Sequence, residues 1–148
     1  MRCVVQRVSR ARVLVSGEVV GAIERGFLVL VGALEGDTPE DAGWVERKLL
    51  SLRVFPDEAG KMNLSVQDIH GALLLVSQFT LAADVGKGAR PSFIQAMHPD
   101  RARPFLEALV ASLRASVPVE TGRFGADMQV ELVNDGPVTL WLDSKRPA

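Results

Sequence analysis

Two short runs in this sequence hold groups whose type and spacing are suited to chemistry. The first, "SQFTL" at residues 77–81, sets two hydroxyls and a carboxamide, those of Ser77, Thr80 and Gln78, around Phe79. A threonine hydroxyl acts as a nucleophile only beside a base, and neither His70 nor His98 is close to Thr80 in sequence. Strand-end hydrogen bonding by Gln78 and Thr80, with Phe79 in the core, is the competing reading of the same residues. The second run, "NDGPVT" at 134–139, places Pro137 directly after the turn dipeptide Asp135-Gly136. A two-residue Asp-Gly hairpin turn needs its fourth residue to return an N–H to the first, and Pro137 has none. Moving the turn on by one residue puts proline in the second central place, which calls for a cis peptide. A longer open loop with a trans proline accommodates the same residues.

Other candidate chemistry is thin. "GKG" at 86–88 lacks the GxxxxGK[ST] spacing of a phosphate loop, and an exposed flexible loop accounts for it. The single cysteine, Cys3, excludes an internal disulfide, and with only two histidines a zinc site is short of ligands. No metal or other cofactor is expected. A formal net charge of -1 argues against a broadly basic nucleic-acid coat. Local groups remain, Arg2, Arg7, Arg10 and Arg12, then Lys87 and Arg90, then Lys145 and Arg146; they can meet phosphate or be simply solvated.

The elements that position these runs follow from patterning. A chain of 148 residues, 47% hydrophobic, fits one domain over residues 1–148 that buries about two-thirds of its unfolded surface. No apolar run approaches the ~20 residues of a membrane span, and "MRCVVQRVSR" alternates charge with apolar residues instead of forming a signal-peptide core. A cytosolic protein without membrane partners is expected. β-branched runs between residues 1 and 34, broken at Ser16-Gly17 and Glu24-Arg25-Gly26, predict three or four antiparallel strands. Thr38-Pro39-Glu40-Asp41 starts a helix whose Ala42, Val45, Leu49 and Leu52 share one face. "PDEAGK" at 56–61 is a turn. The continuous apolar run 72–76 implies a strand covered on both faces. A second helix, with Ala102, Phe105, Leu106, Leu109, Val110 and Leu113 on its apolar face, is expected to start between Asp100 and Pro104, because proline belongs in a first turn. Met128, Val130 and Leu132, then Val138, Leu140 and Leu142, predict two strands flanking the Pro137 turn. The fold class is α+β: a curved, largely antiparallel, barrel-like sheet packed by two helices.

"SQFTL" and "NDGPVT", together with "KMNLSV" at 61–66, "KGARPSF" at 87–93 and "FGADM" at 124–128, resemble the motifs of the D-aminoacyl-tRNA deacylases, in that family's order and over nearly the whole chain. The resemblance implies a cofactor-free homodimeric enzyme that hydrolyses the ester between a D-amino acid and tRNA. It implies that Gly136-Pro137 is cis and enters the partner subunit's site as a chiral filter. Ser77, Gln78, Phe79 and Thr80 would line the opposite wall, where backbone N–H groups near Phe79 and Thr80 hold the scissile carbonyl. Arg7 would steady the Gly-Pro unit, although strand alternation also fits an exposed charge. Met128 would pack near the pocket or in plain core, and Lys87 and Arg90 would face tRNA phosphate. A sister group with a trans Gly-Pro removes a small L-amino acid; "SQFTL" and "NDGPVT" fit the chiral group. An RNA-binding module without catalysis is the alternative resting on the basic clusters.

Overall fold

Three β-branched runs at the N-terminus form a meander: β1 (Arg2–Val15), β2 (Glu18–Ile23) and β3 (Gly26–Gly32). The computed structural model describes residues 1–146. Helix α1 (Pro39–Ser51) follows, then a small hairpin of β4 (Phe55–Pro56) and β5 (Met62–Leu64), then β6 (Ala72–Ser77). A one-turn 3-10 helix, Phe79–Ala82, precedes α2 (Pro99–Arg114), β7 (Val119–Thr121) and the long β8 (Gln129–Asp143).

The main sheet runs β2-β1-β3-β6-β7, with β8 on the free side of β1. The curved α+β architecture is as expected, and the largely antiparallel sheet carries a parallel part. β1 pairs antiparallel with β2, β3 and β8, whereas β6 lies parallel to both β3 and β7. The reason is α1 and its following hairpin, which carry the chain back over one face so that β6 enters in the direction of β3. The sheet curls towards closure. A Cβ on Gly21 of β2 would lie 2.4 Å from the Thr121 carbonyl oxygen of β7, so the two ends of the strand order nearly touch.

Curling explains the apolar run of β6, whose residues 73–76 are all buried. Leu73 and Leu75 point to the core beneath the helices, with Phe27, Val29, Val31, Val45, Leu49, Leu106 and Leu109. Leu74 and Val76 point into the barrel, with Val8, Val13, Ile23 and Leu28. Alternation thus supplies two cores from one strand.

The helices depart from expectation in detail. Thr38 occupies the N-cap of α1 and Pro39 its first position, but the Thr38 hydroxyl turns to Asp41 Oδ2 at 3.3 Å; the same carboxylate accepts the Thr38 N–H at 2.9 Å. Helix α2 starts at Pro99, ahead of the predicted window, with His98 as N-cap and Pro104 inside it. The His98 Nδ1 accepts the Asp100 N–H at 3.2 Å, satisfying a first-turn donor. Pro104 lies one turn further in than proline is normally tolerated, on the exposed side, and the buried stripe of Ala102, Leu106, Leu109 and Leu113 offsets its missing hydrogen bond. Among the described residues no helix is long and apolar enough to cross a membrane.

Candidate active site

β6 ends at Ser77, and "SQFTL" leaves the sheet there as a single 3-10 turn. Its position is fixed by neighbouring backbone. The Gln78 N–H donates to the Val31 carbonyl at 2.8 Å, extending the parallel ladder by one rung. Gly32, the last residue of β3, sits where a Cβ would come within 2.8 Å of the Gln78 carbonyl oxygen, so only glycine permits this approach. Arg2 on β1 reaches across to donate from Nη1 to the Leu81 carbonyl at 2.9 Å, with its Nε 3.7 Å from Asp143.

Behind this turn lies a cavity of about 780 Å³. Val31, Gly32 and Val76 form its floor, Ser77, Gln78 and Phe79 one wall, and Phe93, Ile94, Phe124 and Met128 the others. Phe79 and Phe93 meet edge to face with ring centroids 5.2 Å apart. Both are exposed, as is Ile94 at 88%, so three exposed apolar side chains line the cavity together. Glu35 and His98 stand at the rim. Hydrogen bonds from the Arg101 side chain and the His98 N–H hold the Glu35 carboxyl below its ordinary pKa.

Among the described residues the hydroxyl of Thr80 is hydrogen-bonded to no base. Its hydrogen bond among the described residues is with the Gln78 side-chain amide, which donates to it, and Thr80 does not line the cavity. As the first two residues of a 3-10 turn whose first closing bond is Leu81 N–H to the Gln78 carbonyl, 3.2 Å, Phe79 and Thr80 have main-chain N–H groups that the turn leaves unused. Met128 is half-buried, lines the cavity, and accepts the Arg123 N–H on its sulfur at 3.4 Å. Among the described residues no group of three His, Cys, Asp or Glu side chains is placed to hold a metal.

"NDGPVT" is not a hairpin between two strands. Both flanks belong to β8 and pair with the same strand, Asn134 with Val8 and Thr139 with Gln6. One residue of β1, Arg7, therefore faces four residues of β8, Asp135 to Val138, which loop out of the ladder. The expected pair of strands is one interrupted strand because β1 is long enough to serve both halves. The Gly136-Pro137 peptide is cis, and both residues are exposed. Arg7 fills the space under the loop. It is 8% exposed, so the reading of a solvated charge is wrong: alternation along β1 sets Arg7 on the buried face with Cys3 and Val5, and the residues of β8 opposite it loop away to leave room for the guanidinium. Its Nε donates to the Asp135 carbonyl at 3.2 Å and its Nη1 to the Val54 carbonyl at 2.5 Å. Asn134 pins the two sides, its Nδ2 donating to the carbonyls of Arg7 and Val138 at 3.1 and 3.0 Å.

Within one chain the two motifs stay apart, and no residue of 134–139 lines the cavity behind Ser77. Lys87 and Arg90 are exposed on a loop closed at its base by paired bonds between Asp84 and Ser92; they do not line the cavity either.

The D-Tyr-tRNA(Tyr) deacylase family model matches residues 4–143, nearly the whole chain. A D-aminoacyl-tRNA deacylase of Geobacillus sp. (strain WCH70) is 56% identical over 100% of this chain and 98% of its own length. One of Thermomicrobium roseum is 57% identical over 97% and 94%. This chain belongs to the D-Tyr-tRNA(Tyr) deacylase family. Membership makes it a hydrolase that acts on the ester bond of D-aminoacyl-tRNA. A solved structure described as a c-Myc DNA Unwinding Element Binding Protein superposes with a TM-score of 0.93 at 45% identity, over the full length of both chains. In this deacylase, sequence reasoning gave no site role to Arg2 or Gly32, and it noted the motifs "KGARPSF" and "FGADM" without singling out their Phe93 and Phe124. Gly32 belongs to a run that reads as plain strand, and Arg2 reads as one more surface charge until β1 is placed beside the 3-10 turn.

Proposed function

We propose that the protein cleaves the ester of D-aminoacyl-tRNA as a chirality check on translation in the cytoplasm. In this reading residues 1–148 act as one unit, and the site is completed by a second copy of the chain. The supporting observation is a mismatch within one chain: Gly136-Pro137 is exposed and pinned from below by Arg7 and Asn134, yet contributes nothing to its own cavity. Such rigidity is useful for selection only if another surface receives the loop. In a two-fold dimer each cavity takes the partner's Gly136-Pro137, which gives two equivalent shared sites.

The chemistry asks little of side chains. An aminoacyl ester is already activated, and the adjacent ribose hydroxyl can position or activate water, so the protein mainly places the reactants. The unused N–H groups of Phe79 and Thr80 are suited to the carbonyl oxygen as negative charge develops on it. Main-chain groups of Gly136 and Pro137 then exclude a substituent on one side of the α-carbon, which rejects L-amino acids without reading the side chain. Glycine presents nothing to exclude, and glycyl-tRNA is cleaved as well.

The test is a matched assay on D- and L-tyrosyl-tRNA, with glycyl-tRNA alongside. Cleavage of the D and glycyl esters with the L ester spared is expected; equal D and L rates refute the filter. Salt-dependent tRNA binding without cleavage instead identifies a binding module. Sharing between chains is tested by mixing an Arg7→Met subunit with one carrying Gln78→Ala and Phe79→Ala. Each heterodimer then holds one intact and one doubly damaged site, and selective activity returns. No recovery in proven heterodimers refutes the shared site.

A further inference from the structure

A second cavity, of about 330 Å³, adjoins the first and shares Val31, Ser77, Leu106 and Phe124 with it. Its outer wall is one face of α2, where Arg103, Leu106, Val110 and Arg114 recur at helical spacing. Its other side is the segment after β7, with Arg123 beside Phe124. Three guanidiniums thus line a cavity that contains one acid, Glu107.

None of the three arginines is needed in full by the fold. Arg103 lies over the Phe124 ring, 5.9 Å from its centroid, and bonds Glu107 at 3.2 Å through a pair that is about two-thirds exposed on both sides. Such pairs contribute little and open readily. Arg114 spends Nε and Nη2 on the Val119 carbonyl, at 3.2 and 3.1 Å, and among the described residues its Nη1 makes no hydrogen bond. Arg123 is exposed, and among the described residues its hydrogen bond is made by the main-chain N–H, to the Met128 sulfur, and none by the side chain. Planar guanidiniums above an apolar floor fit a phosphate attached to a flat ring.

We propose that this second cavity is a nucleotide subsite. It takes the nucleotide next to the aminoacylated one, with Arg103, Arg114 and Arg123 on its phosphates and the base against Phe124, Leu106 and Val110. The inference rests on the reading of the first cavity as the ester site. The two cavities meet at Ser77 and Phe124, so a strand whose terminal residue occupies the first passes into the second. Lys87 and Arg90, the charges that sequence points to, line neither cavity. The subsite therefore discriminates a polynucleotide ester from the same ester on a lone nucleoside.

The experiment compares kcat/KM on D-tyrosyl-tRNA with kcat/KM on the D-tyrosyl ester of adenosine, for wild type, Arg123→Gln, Arg103→Gln/Arg123→Gln, and Lys87→Ala/Arg90→Ala. Each guanidinium removed is expected to lower the tRNA-to-adenosine ratio about fivefold, through KM. The salt dependence of log KM should flatten by about 0.7 for each phosphate left without its guanidinium. Arg123→Lys should recover part of the loss. A ratio within about twofold of wild type for the double arginine variant overturns the subsite. So does an equal fall on both esters, which indicates damage to the shared wall, or a fall confined to the Lys87/Arg90 variant. Wild type that cleaves neither ester overturns the reading of the first cavity and the subsite with it; wild type that cleaves both with an unchanged variant ratio overturns the subsite alone.

Discussion

Replacing Arg7 by methionine removes the pin under the Asp135–Val138 loop while keeping a side chain of similar length. In the wild type the guanidinium bonds two carbonyls and lies 3.6 Å from the Asp135 carboxylate, with its side chain 10% exposed. Hydrogen bonds to a charged donor contribute about 1.5–3 kcal/mol each. Burying the guanidinium offsets part of that gain. Both accepting carbonyls lie in part-buried bonds, so each loses a charged donor that water replaces only in part once Arg7 is gone. A net loss of about 2 kcal/mol follows, read as a fall of roughly 4–8 °C in Tm for a chain of this size. The functional effect should be larger than the stability effect suggests. A loop freed on its β1 side no longer presents Gly136-Pro137 in one place, and the ratio of D- to L-tyrosyl-tRNA cleavage should fall at least about tenfold, equivalent to 1.4 kcal/mol of lost discrimination. Arg7→Lys should fall between, since one ammonium cannot reproduce a fork directed at two carbonyls. Urea unfolding followed by circular dichroism measures the first effect and the matched deacylation assay the second. Arg7→Met with stability within about 0.5 kcal/mol of wild type and an unchanged D/L ratio would refute the role given to Arg7.

Gly136→Ala forces a Cβ to within 2.6 Å of Arg7 Nη2 at a φ of +118°; a loss of about 1–3 kcal/mol and weaker D/L selectivity are expected in the same two assays. Thr80→Ala should keep kcat within about tenfold of wild type, because among the described residues its hydroxyl bonds the Gln78 amide and no base; single-turnover deacylation showing abolished chemistry with intact tRNA binding would favour a threonine nucleophile. Cys3 is buried and its thiol is pushed up to about 12, chiefly by burial, so thiol reagents at pH 8 should label the protein only after unfolding. Burial would raise the Asp41 carboxyl, but the Thr38 N–H, Lys145 and Ser144 outweigh it and hold it well below its ordinary pKa. Its stabilisation is therefore full above the unfolded-state value of about 4 and lost as pH falls further. Asp41→Asn should cost about 1–2 kcal/mol at pH 7, a gap that closes in acid and is measured by urea unfolding at each pH.

How far the sequence alone determined this protein can be judged residue by residue. Local pattern carried the elements: the acid-rich start at Thr38-Pro39, the helical stripes of α1 and α2, and the apolar run 72–76 whose burial on both faces the structure repeats. These were legible because periodicity and turn chemistry act between residues a few positions apart. The partners of those elements were not legible. β6 lies parallel to β3 because of where α1 and the β4-β5 hairpin return the chain, and the flanks of Pro137 form one strand because β1 is long enough to pair with both. At the candidate site, "SQFTL" and "NDGPVT" were found by motif, but their separation within one chain was decided only by the fold. The same is true of Arg7, whose charge suggests solvent but which shares the buried face of β1 with Cys3 and Val5 and finds its partners in the carbonyls of Val54 and Asp135, 47 and 128 residues away in sequence. A side chain's type is written in the sequence; whether a guanidinium ends as a surface charge, a pin or a phosphate ligand depends on carbonyls and cavities that distant segments supply.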